Sequence, residues 1–126
     1  MYILIAVLVF GLLIFIHEGG HFLAARICKV TVNEFSIGMG PKLFSKRSKK
    51  SNTLYSLRAL PIGGYVAMDG EDESSENPDA FCNKSVPKRM FIVLAGAFMN
   101  LLLGFILMFM LVFFSGVSAF NKNRRF

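Results

Sequence analysis

Residues 1–26, MYILIAVLVFGLLIFIHEGGHFLAAR, join a long apolar run to a short polar motif, HEGGH, at residues 17–21. A helix that crosses a membrane needs about 20 mostly apolar residues, each rising about 1.5 Å. The apolar residues on both sides of the motif together reach that length. The stretch therefore predicts a transmembrane helix over residues 1–28 that carries two imidazoles and a carboxylate within the apolar layer.

A cleaved signal peptide is the competing interpretation of this first stretch. No basic region precedes the apolar run, although signal peptides ordinarily begin with one. Cleavage after Ala25 would also discard the HEGGH motif. A retained helix is therefore the favoured interpretation.

A second apolar block covers residues 90–114, and Asn100 is its only strongly polar residue. Pro87 lies just before the block, where proline suits the start of a helix. We therefore predict a second transmembrane helix over residues 90–115, followed by a tail over residues 116–126. The expected fold is a mainly α-helical membrane protein, with two transmembrane helices and a small membrane-associated β-sheet or hairpin between them.

The segment between the helices, residues 29–89, has the pattern of a β-hairpin followed by an acidic loop. β-Branched and aromatic residues mix with glycines over residues 31–40 and 53–66, which is typical of strands. The run of Lys, Arg and Ser at residues 45–51 fits the tip of the hairpin. Residues 69–79 are acidic and polar, so we expect a flexible loop there.

The net charge of +6 is placed around the apolar blocks and indicates a membrane topology. Residues 29–89 hold ten Lys and Arg, against three in the tail. Loops rich in Lys and Arg stay in the cytoplasm and meet anionic lipid headgroups. This predicts a multi-pass protein of the cell (cytoplasmic, inner) membrane with segment 29–89 on the cytoplasmic side. Nucleic acid is not an expected partner, because no nucleic-acid-binding motif is present.

The HEGGH motif has the form of a metal site with a catalytic base. Residues four apart share one face of a helix, so His17 and His21 can hold one ion. Zinc suits two nitrogen ligands and keeps an open position for water. Glu18 can take a proton from that water and return it to the leaving amine, which is the chemistry of peptide hydrolysis. The alternative is that both histidines only bond to neighbouring helices; the cost of polar groups in an apolar helix favours the metal site.

Two histidines need a third protein ligand to make a catalytic zinc site. Cys28 lies two turns after His21, about 10 Å away on a continuous helix, and is excluded. Asn100 could orient substrate or water, or could bond the helices together, and the sequence leaves both roles open. The third ligand must come from elsewhere. A disulfide between Cys28 and Cys82 also stays open, with two free thiols as the favoured state.

Several segments together resemble the site-2 protease family of intramembrane zinc metalloproteases, in its regulator-of-sigma-E protease type. The resemblance covers nearly the whole chain. The matching segments are the HEGGHF run at 17–22 with Ala25-Arg26, residues 34–40, residues 60–66 with Met68, Lys88-Arg89, and Ala95-Gly96 with Asn100.

The resemblance implies a zinc enzyme that cleaves within membranes. It implies that His17 and His21 bind Zn²⁺, that Glu18 is the catalytic base, and that residues 31–66 form a membrane-associated β-structure. The implied substrates are single-pass membrane proteins, such as anti-sigma factors or signal-peptide remnants. An unwound substrate helix could add to an edge strand, which would accept its freed backbone groups. Gly63, Gly64, Tyr65 and Asn100 are the candidate substrate-binding residues.

The sequence also departs from the family pattern. Members often have a bulky apolar residue where Gly19 stands, and a proline where Ala97 stands. The family's third ligand is an aspartate of a later transmembrane helix, near Leu-Asp-Gly, and a PDZ domain is expected after the second span. Neither segment is present, so we expect a truncated chain, the product of a partial gene or half of a split enzyme, with a missing C-terminal segment that supplies the aspartate. The main alternative is a non-catalytic membrane-anchor or interaction fragment of such a protease. A second alternative is a soluble zincin with a cleaved leader.

Overall fold

The computed structural model describes residues 1–124, apart from the side chains of residues 121 and 123. Along the chain, a long helix is followed by a β-hairpin and then by a second long helix. The elements are helix α1 (Tyr2–Ile27), strand β1 (Val32–Arg47), strand β2 (Leu54–Met68), a short 3-10 turn (Phe81–Asn83) and helix α2 (Val86–Asn123). The predicted pair of long apolar helices with a small sheet between them is thus confirmed.

Both helices are long and apolar enough to cross a membrane. Their best 18-residue windows have mean hydropathies of 2.3 in α1 and 2.5 in α2. α2 begins earlier than predicted, at Val86, so that Pro87 lies within the first helical turn. It also continues to Asn123, through most of the segment predicted as a tail. That segment holds no proline, and one glycine costs a helix only about 1 kcal/mol.

The sheet joins β1 to β2, which are antiparallel overall and sharply bent. Residues 32–37 pair with residues 64–68, and residues 42–47 pair with residues 54–58, both in the antiparallel sense. Residues 34–37 also lie beside residues 54–57, and in this pairing the residue numbers rise together. Each strand therefore contributes two arms, and residues 34–37 have neighbours on both edges.

Glycines allow the bends that create these arms. Gly38 and Gly40 have φ values of 83° and 86°, and Gly63 has 87°, in the region that favours glycine. A Cβ on Gly38 would also lie 2.4 Å from the carbonyl oxygen of Leu60, so the strands touch at the bend. The sequence pattern located the strands but did not show that each one doubles back.

The bend of β2 reaches the middle of α1. A Cβ on Gly11 would lie 2.8 Å from the carbonyl oxygen of Pro61, so the two backbones are in direct contact. Gly11 lies near the midpoint of α1 (Tyr2–Ile27). The sheet therefore extends alongside the helix to half of the helix's length.

The core lies where the C-terminal end of α1, the start of α2 and the base of the sheet meet. Its buried residues are Ala24, Ala25, Cys28, Val30, Val32, Val66, Met68 and Ile92. Gly20 brings the two helices close, because a Cβ there would lie 2.5 Å from the carbonyl oxygen of Ala95. Both cysteines are free thiols, with Cys28 buried and Cys82 half-buried.

The acidic segment 69–79 forms a loop, as predicted, and makes hydrogen bonds to the base of the sheet. The amide nitrogen Nδ2 of Asn77 donates to Asp69 Oδ2 at 2.8 Å and to Thr31 Oγ1 at 3.1 Å. The backbone N–H of Thr31 donates to the carbonyl of Asp79 at 2.9 Å. These bonds tie the loop to the base of the sheet, and the acidic composition gave no sign of them.

Candidate metal centre

His17 and His21 point their Nε2 atoms at each other from successive turns of α1. The two nitrogens lie 3.1 Å apart, and the rings meet edge to face with centroids 4.7 Å apart. The spacing of four residues places both rings on one side of the helix. The predicted pair is therefore brought together with its ring nitrogens convergent.

A backbone carbonyl of α2 orients His21. The Nδ1 atom of His21 lies 2.8 Å from the carbonyl oxygen of Ile92, which can only accept. The proton of the neutral ring therefore sits on Nδ1. This leaves the Nε2 lone pair free, which is the arrangement that metal-ligating histidines use.

Asn100 holds the corresponding position beside His17. Its side-chain Nδ2 lies 3.4 Å from Nδ1 of His17, and its Oδ1 atom is buried without a hydrogen-bond partner among the described residues. Ile92, Gly96 and Asn100 recur every four residues, so they form one stripe along α2. Ile92 and Asn100 contact the outer nitrogens of the histidine pair, which are Nδ1 of His21 and Nδ1 of His17.

Gly96, the middle member of the stripe, leaves room at the inner nitrogens, which are the two Nε2 atoms. A Cβ at this position would lie 2.5 Å from Nε2 of His21 and 2.8 Å from Nε2 of His17. Real Cβ atoms do not approach other atoms so closely, and the backbone of α2 could not remain where it is. Glycine at this position is therefore a condition for the convergence of the two nitrogens.

The convergent pair fits a zinc ion. Two nitrogens bound at about 2.0–2.1 Å in tetrahedral geometry stand about 3.3–3.4 Å apart. The observed 3.1 Å is close to that separation. Within residues 1–124, however, no set of three His, Cys, Asp or Glu side chains is grouped closely enough to hold a metal ion. The described part of the chain thus provides two candidate ligands, His17 and His21.

Glu18 stands between two cavities beside the histidines. One, of about 360 Å³, runs from Glu18 and His21 to Tyr65 and Met68 on the sheet. The other, of about 270 Å³, is lined by Glu18, His17 and Asn100 together with Phe10, Leu13 and Ile14. Glu18 therefore borders both cavities that adjoin the histidines.

Tyr65 belongs to a polar network that stiffens the sheet next to the first cavity. Its hydroxyl accepts from Arg58 Nη2 at 2.6 Å, and the same nitrogen contacts Glu34 Oε1 at 3.1 Å. Burial raises the pKa of Tyr65, and the hydrogen bond and charge of Glu34 raise it further. Burial also acts to raise the pKa of Glu34, but hydrogen bonds from Ser56, Tyr65 and Arg58 outweigh it and lower that pKa.

Gly63 and Gly64 do not line the cavity that Tyr65 lines. Gly63 provides a bend with positive φ, and a Cβ on Gly64 would lie 2.7 Å from the carbonyl oxygen of Ser36 on the paired strand. The structure gives both glycines a role in the shape of the sheet. Their role as substrate-binding residues stays a prediction.

Two parts of the site that α2 contributes, at Ile92 and Gly96, were not predicted from the sequence. The carbonyl of Ile92 is a backbone group and leaves no trace in the residue type. Gly96 did have a detectable signal, because it lies four residues before Asn100 and hence on the same face of the helix.

Comparison with known proteins places the chain in a family. Residues 5–125 match the family model described as peptidase family M50. The chain belongs to peptidase family M50. The recognition of a site-2 protease relative from its sequence segments is thereby confirmed.

Relatives of this M50 chain include bacterial proteins that carry the name "Putative zinc metalloprotease". One from Fusobacterium nucleatum is 49% identical over 123 residues, which are 98% of this chain and 36% of the relative. One from Clostridium acetobutylicum is 55% identical over 105 residues, 83% of this chain and 30% of the relative. One from Clostridium perfringens is 45% identical over 122 residues, which are 97% of this chain and 36% of the relative. The chain spans about a third of the length of these relatives.

Proposed function

We propose that this M50 chain is the zinc-binding front part of an intramembrane metallopeptidase. The observation that carries the proposal is the convergence of two Nε2 atoms 3.1 Å apart, in a space that Gly96 keeps open. The names of the relatives support zinc as the ion and peptide hydrolysis as the reaction. His17 and His21 would hold Zn²⁺, whose role as a Lewis acid is to make a bound water more acidic.

Glu18 is the proton carrier in this proposal. Its carboxylate accepts a proton from the attacking water and then delivers it to the nitrogen of the departing amine. Its place between the two cavities gives it access to both partners without a change of helix position. The carbonyl of Ile92 keeps His21 in the tautomer that binds metal throughout this exchange.

In the proposed topology α1 and α2 cross the cell (cytoplasmic, inner) membrane and residues 29–89 lie on the cytoplasmic side. The two hydropathies and the excess of Lys and Arg in the middle segment support it. Because Pro61 contacts α1 at Gly11, the bend of the sheet then lies within the bilayer. Exposed apolar side chains at the bends, such as Met39, Leu60 and Ile62, are suited to lipid contact.

The proposed substrates are transmembrane segments of single-pass proteins. A helix must unwind before its peptide bonds can be hydrolysed, and its freed N–H and C=O groups then need partners in the apolar layer. Residues 64–68 pair with residues 32–37 on one edge, and Tyr65 and Met68 line the cavity that contains Glu18. An extended substrate that adds to the other edge would present its backbone to that cavity.

The third zinc ligand in this proposal is an aspartate of a segment outside the described residues. The described residues supply a pair of ligands, and the relatives are about three times as long as the chain. The second candidate function is a non-catalytic membrane anchor or interaction fragment. The lack of a third ligand among residues 1–124 favours it.

The first experiment measures zinc in the detergent-purified chain. We expect bound zinc in the wild type, unchanged zinc in Glu18→Gln, and loss of zinc in His17→Ala/His21→Ala. These are the only two histidines of the chain, so the double variant removes every imidazole. Zinc that survives the double variant would overturn the assigned site, and no zinc in the wild type would favour the anchor.

A second experiment tests the reaction. The chain is co-expressed with the remaining part of the Fusobacterium nucleatum relative and reconstituted in vesicles with a single-pass substrate. We expect cleavage with the wild type and none with Glu18→Gln, although both bind zinc. Cleavage by Glu18→Gln at the wild-type rate would contradict the role of Glu18.

A further inference from the structure

The side-chain amide of Asn100 has one group in contact with His17 and one without a partner. Its Nδ2 lies 3.4 Å from Nδ1 of His17, while its buried Oδ1 accepts no hydrogen bond from the described residues. An amide presents a donor on one side and an acceptor on the other, and the two are nearly equal in shape. A half-turn of the amide would therefore exchange these groups in the same space.

The positions of the four polar groups allow two arrangements of protons. In the first, the amide donates to Nδ1 of His17, and Nε2–H of His17 donates to Nε2 of His21 across 3.1 Å. Nδ1–H of His21 then donates to the carbonyl of Ile92, which completes a directed chain. This arrangement places a proton on Nε2 of His17, where a metal ligand needs a lone pair.

In the second arrangement both histidines carry the proton on Nδ1. Asn100 must then accept through Oδ1, since an amide NH₂ cannot receive a hydrogen bond. The Nε2 lone pairs of His17 and His21 face each other 3.1 Å apart, an unfavourable contact that a divalent cation between them relieves. The amide NH₂ turns towards the cavity that Asn100 shares with Glu18, where a water can accept from it.

We propose that Asn100 is a reversible positioning residue for the zinc site. Its amide donates to His17 when no cation lies between the histidines, and turns over to accept from Nδ1–H of His17 when zinc is bound. This inference rests on the proposed zinc site. It gives Asn100 the role of orienting His17, whereas the sequence left a choice between orienting substrate or water and bonding the helices together. The carbonyl of Ile92 cannot turn, so only one histidine of the pair is adjustable.

The test uses nuclear magnetic resonance of protein labelled with ¹⁵N-histidine, which gives signals from two residues only. The tautomer of each ring is read in detergent after treatment with a chelator, at one mildly alkaline pH for all variants. We expect His17 as the Nε2–H form and His21 as the Nδ1–H form in the wild type. In Asn100→Asp, whose carboxylate only accepts, His17 should change to the Nδ1–H form.

His21 serves as the internal check on folding, because it should keep Nδ1–H in every variant through Ile92. Leu101→Ala, at an exposed neighbouring position, is the matched control and should leave both tautomers unchanged. If His17 of the metal-free wild type carried its proton on Nδ1, the proposed rotation of the Asn100 amide would be wrong. If the tautomer of His17 were the same in Asn100→Asp as in the wild type, the hydrogen bond between Asn100 and His17 would be wrong.

Zinc affinity gives the second readout. Asn100→Leu should weaken zinc binding about 10- to 100-fold, whereas Asn100→Asp should bind at least as tightly as the wild type. Equal weakening in both variants would overturn the role of Oδ1 as acceptor. If the wild type bound no zinc, the proposed metal site would fail, while the tautomers of the metal-free protein would still decide the role of Asn100.

Discussion

The two halves of α2 are equally apolar in sequence but differ in what they touch. In the first half, Gly96 lies against both histidines, and Ile92 and Asn100 contact their outer nitrogens. From the end of the first half onwards, a Cβ on Gly104 or on Gly116 would meet no atom within 4 Å, so the helix is open at both positions. Composition describes both halves alike, and only the contacts distinguish the part of α2 that meets both histidines from the part that is open.

Two adjacent glycines of α1 repeat this contrast on a smaller scale. A Cβ on Gly20 would lie 2.5 Å from the carbonyl oxygen of Ala95, whereas one on Gly19 would meet nothing within 4 Å. Only Gly20 is needed for the close approach of the helices. The open face at Gly19 also agrees with the bulky residue that the resembling family often carries there.

The largest effect should come from Gly96→Ala. The added methyl group would collide with Nε2 of both histidines, so we expect zinc affinity to fall on the order of 100-fold or more, beyond the usual effect of residues that support metal ligands. Chelator competition measures the change. Gly104→Ala is the matched control at an open position of α2, and an equal loss there would contradict a special role for the contact at Gly96.

Gly20→Ala should have the next largest effect, on stability. Its methyl group would force the two helix backbones apart, at a cost of about 3 kcal/mol. Gly19→Ala should instead stabilise α1 by up to about 1 kcal/mol, through helix propensity. Denaturant unfolding in detergent measures both. If the two variants were destabilised alike, the helices would not meet at Gly20.

A smaller effect is expected in the sheet, at Glu34. Its pKa is lowered from 4.5 in the folded chain despite burial, so its stabilising effect is complete above that ordinary value and is lost as the pH falls through the folded pKa. At neutral pH Glu34→Gln should cost about 1.5 kcal/mol, the lower end for bonds to a charged group.

The pH dependence provides the control for Glu34. Unfolding measured from neutral pH to about pH 3 should show a loss in the wild type that is reduced in Glu34→Gln, because the amide does not titrate. The two partners, Glu34 and Arg58, each keep 17% side-chain exposure, which limits the size of the effect. Parallel pH profiles for both proteins would show that Glu34 does not contribute.

The smallest effect is expected from Phe109→Leu in the open half of α2. Phe109 is 72% exposed, and surface substitutions usually change stability by no more than about 0.5 kcal/mol. Thermal unfolding in detergent is the measurement. A loss much greater than this would mean that the second half of α2 is packed against another protein surface.

The sequence was sufficient to predict the elements and the convergence of the two histidines, because these depend on local patterns. Four-residue spacing placed His17 and His21 on one face, and hydropathy located both helices. What it could not predict depends on distant partners. The carbonyl of Ile92 is invisible in the residue type, the doubling back of the strands depends on their mutual register, and the bonds of Asn77 join residues 46 positions apart.

The candidate metal centre draws on two distant parts of the chain, and this determines when it can form. His21 and Ile92 are separated by 71 positions, and His17 and Asn100 by 83. A ribosome therefore produces the ligands long before the residues that orient them. Until α2 has entered beside α1, the histidines lack their supports. The full arrangement of histidines, carbonyl and amide therefore exists only once α2 is in place beside α1.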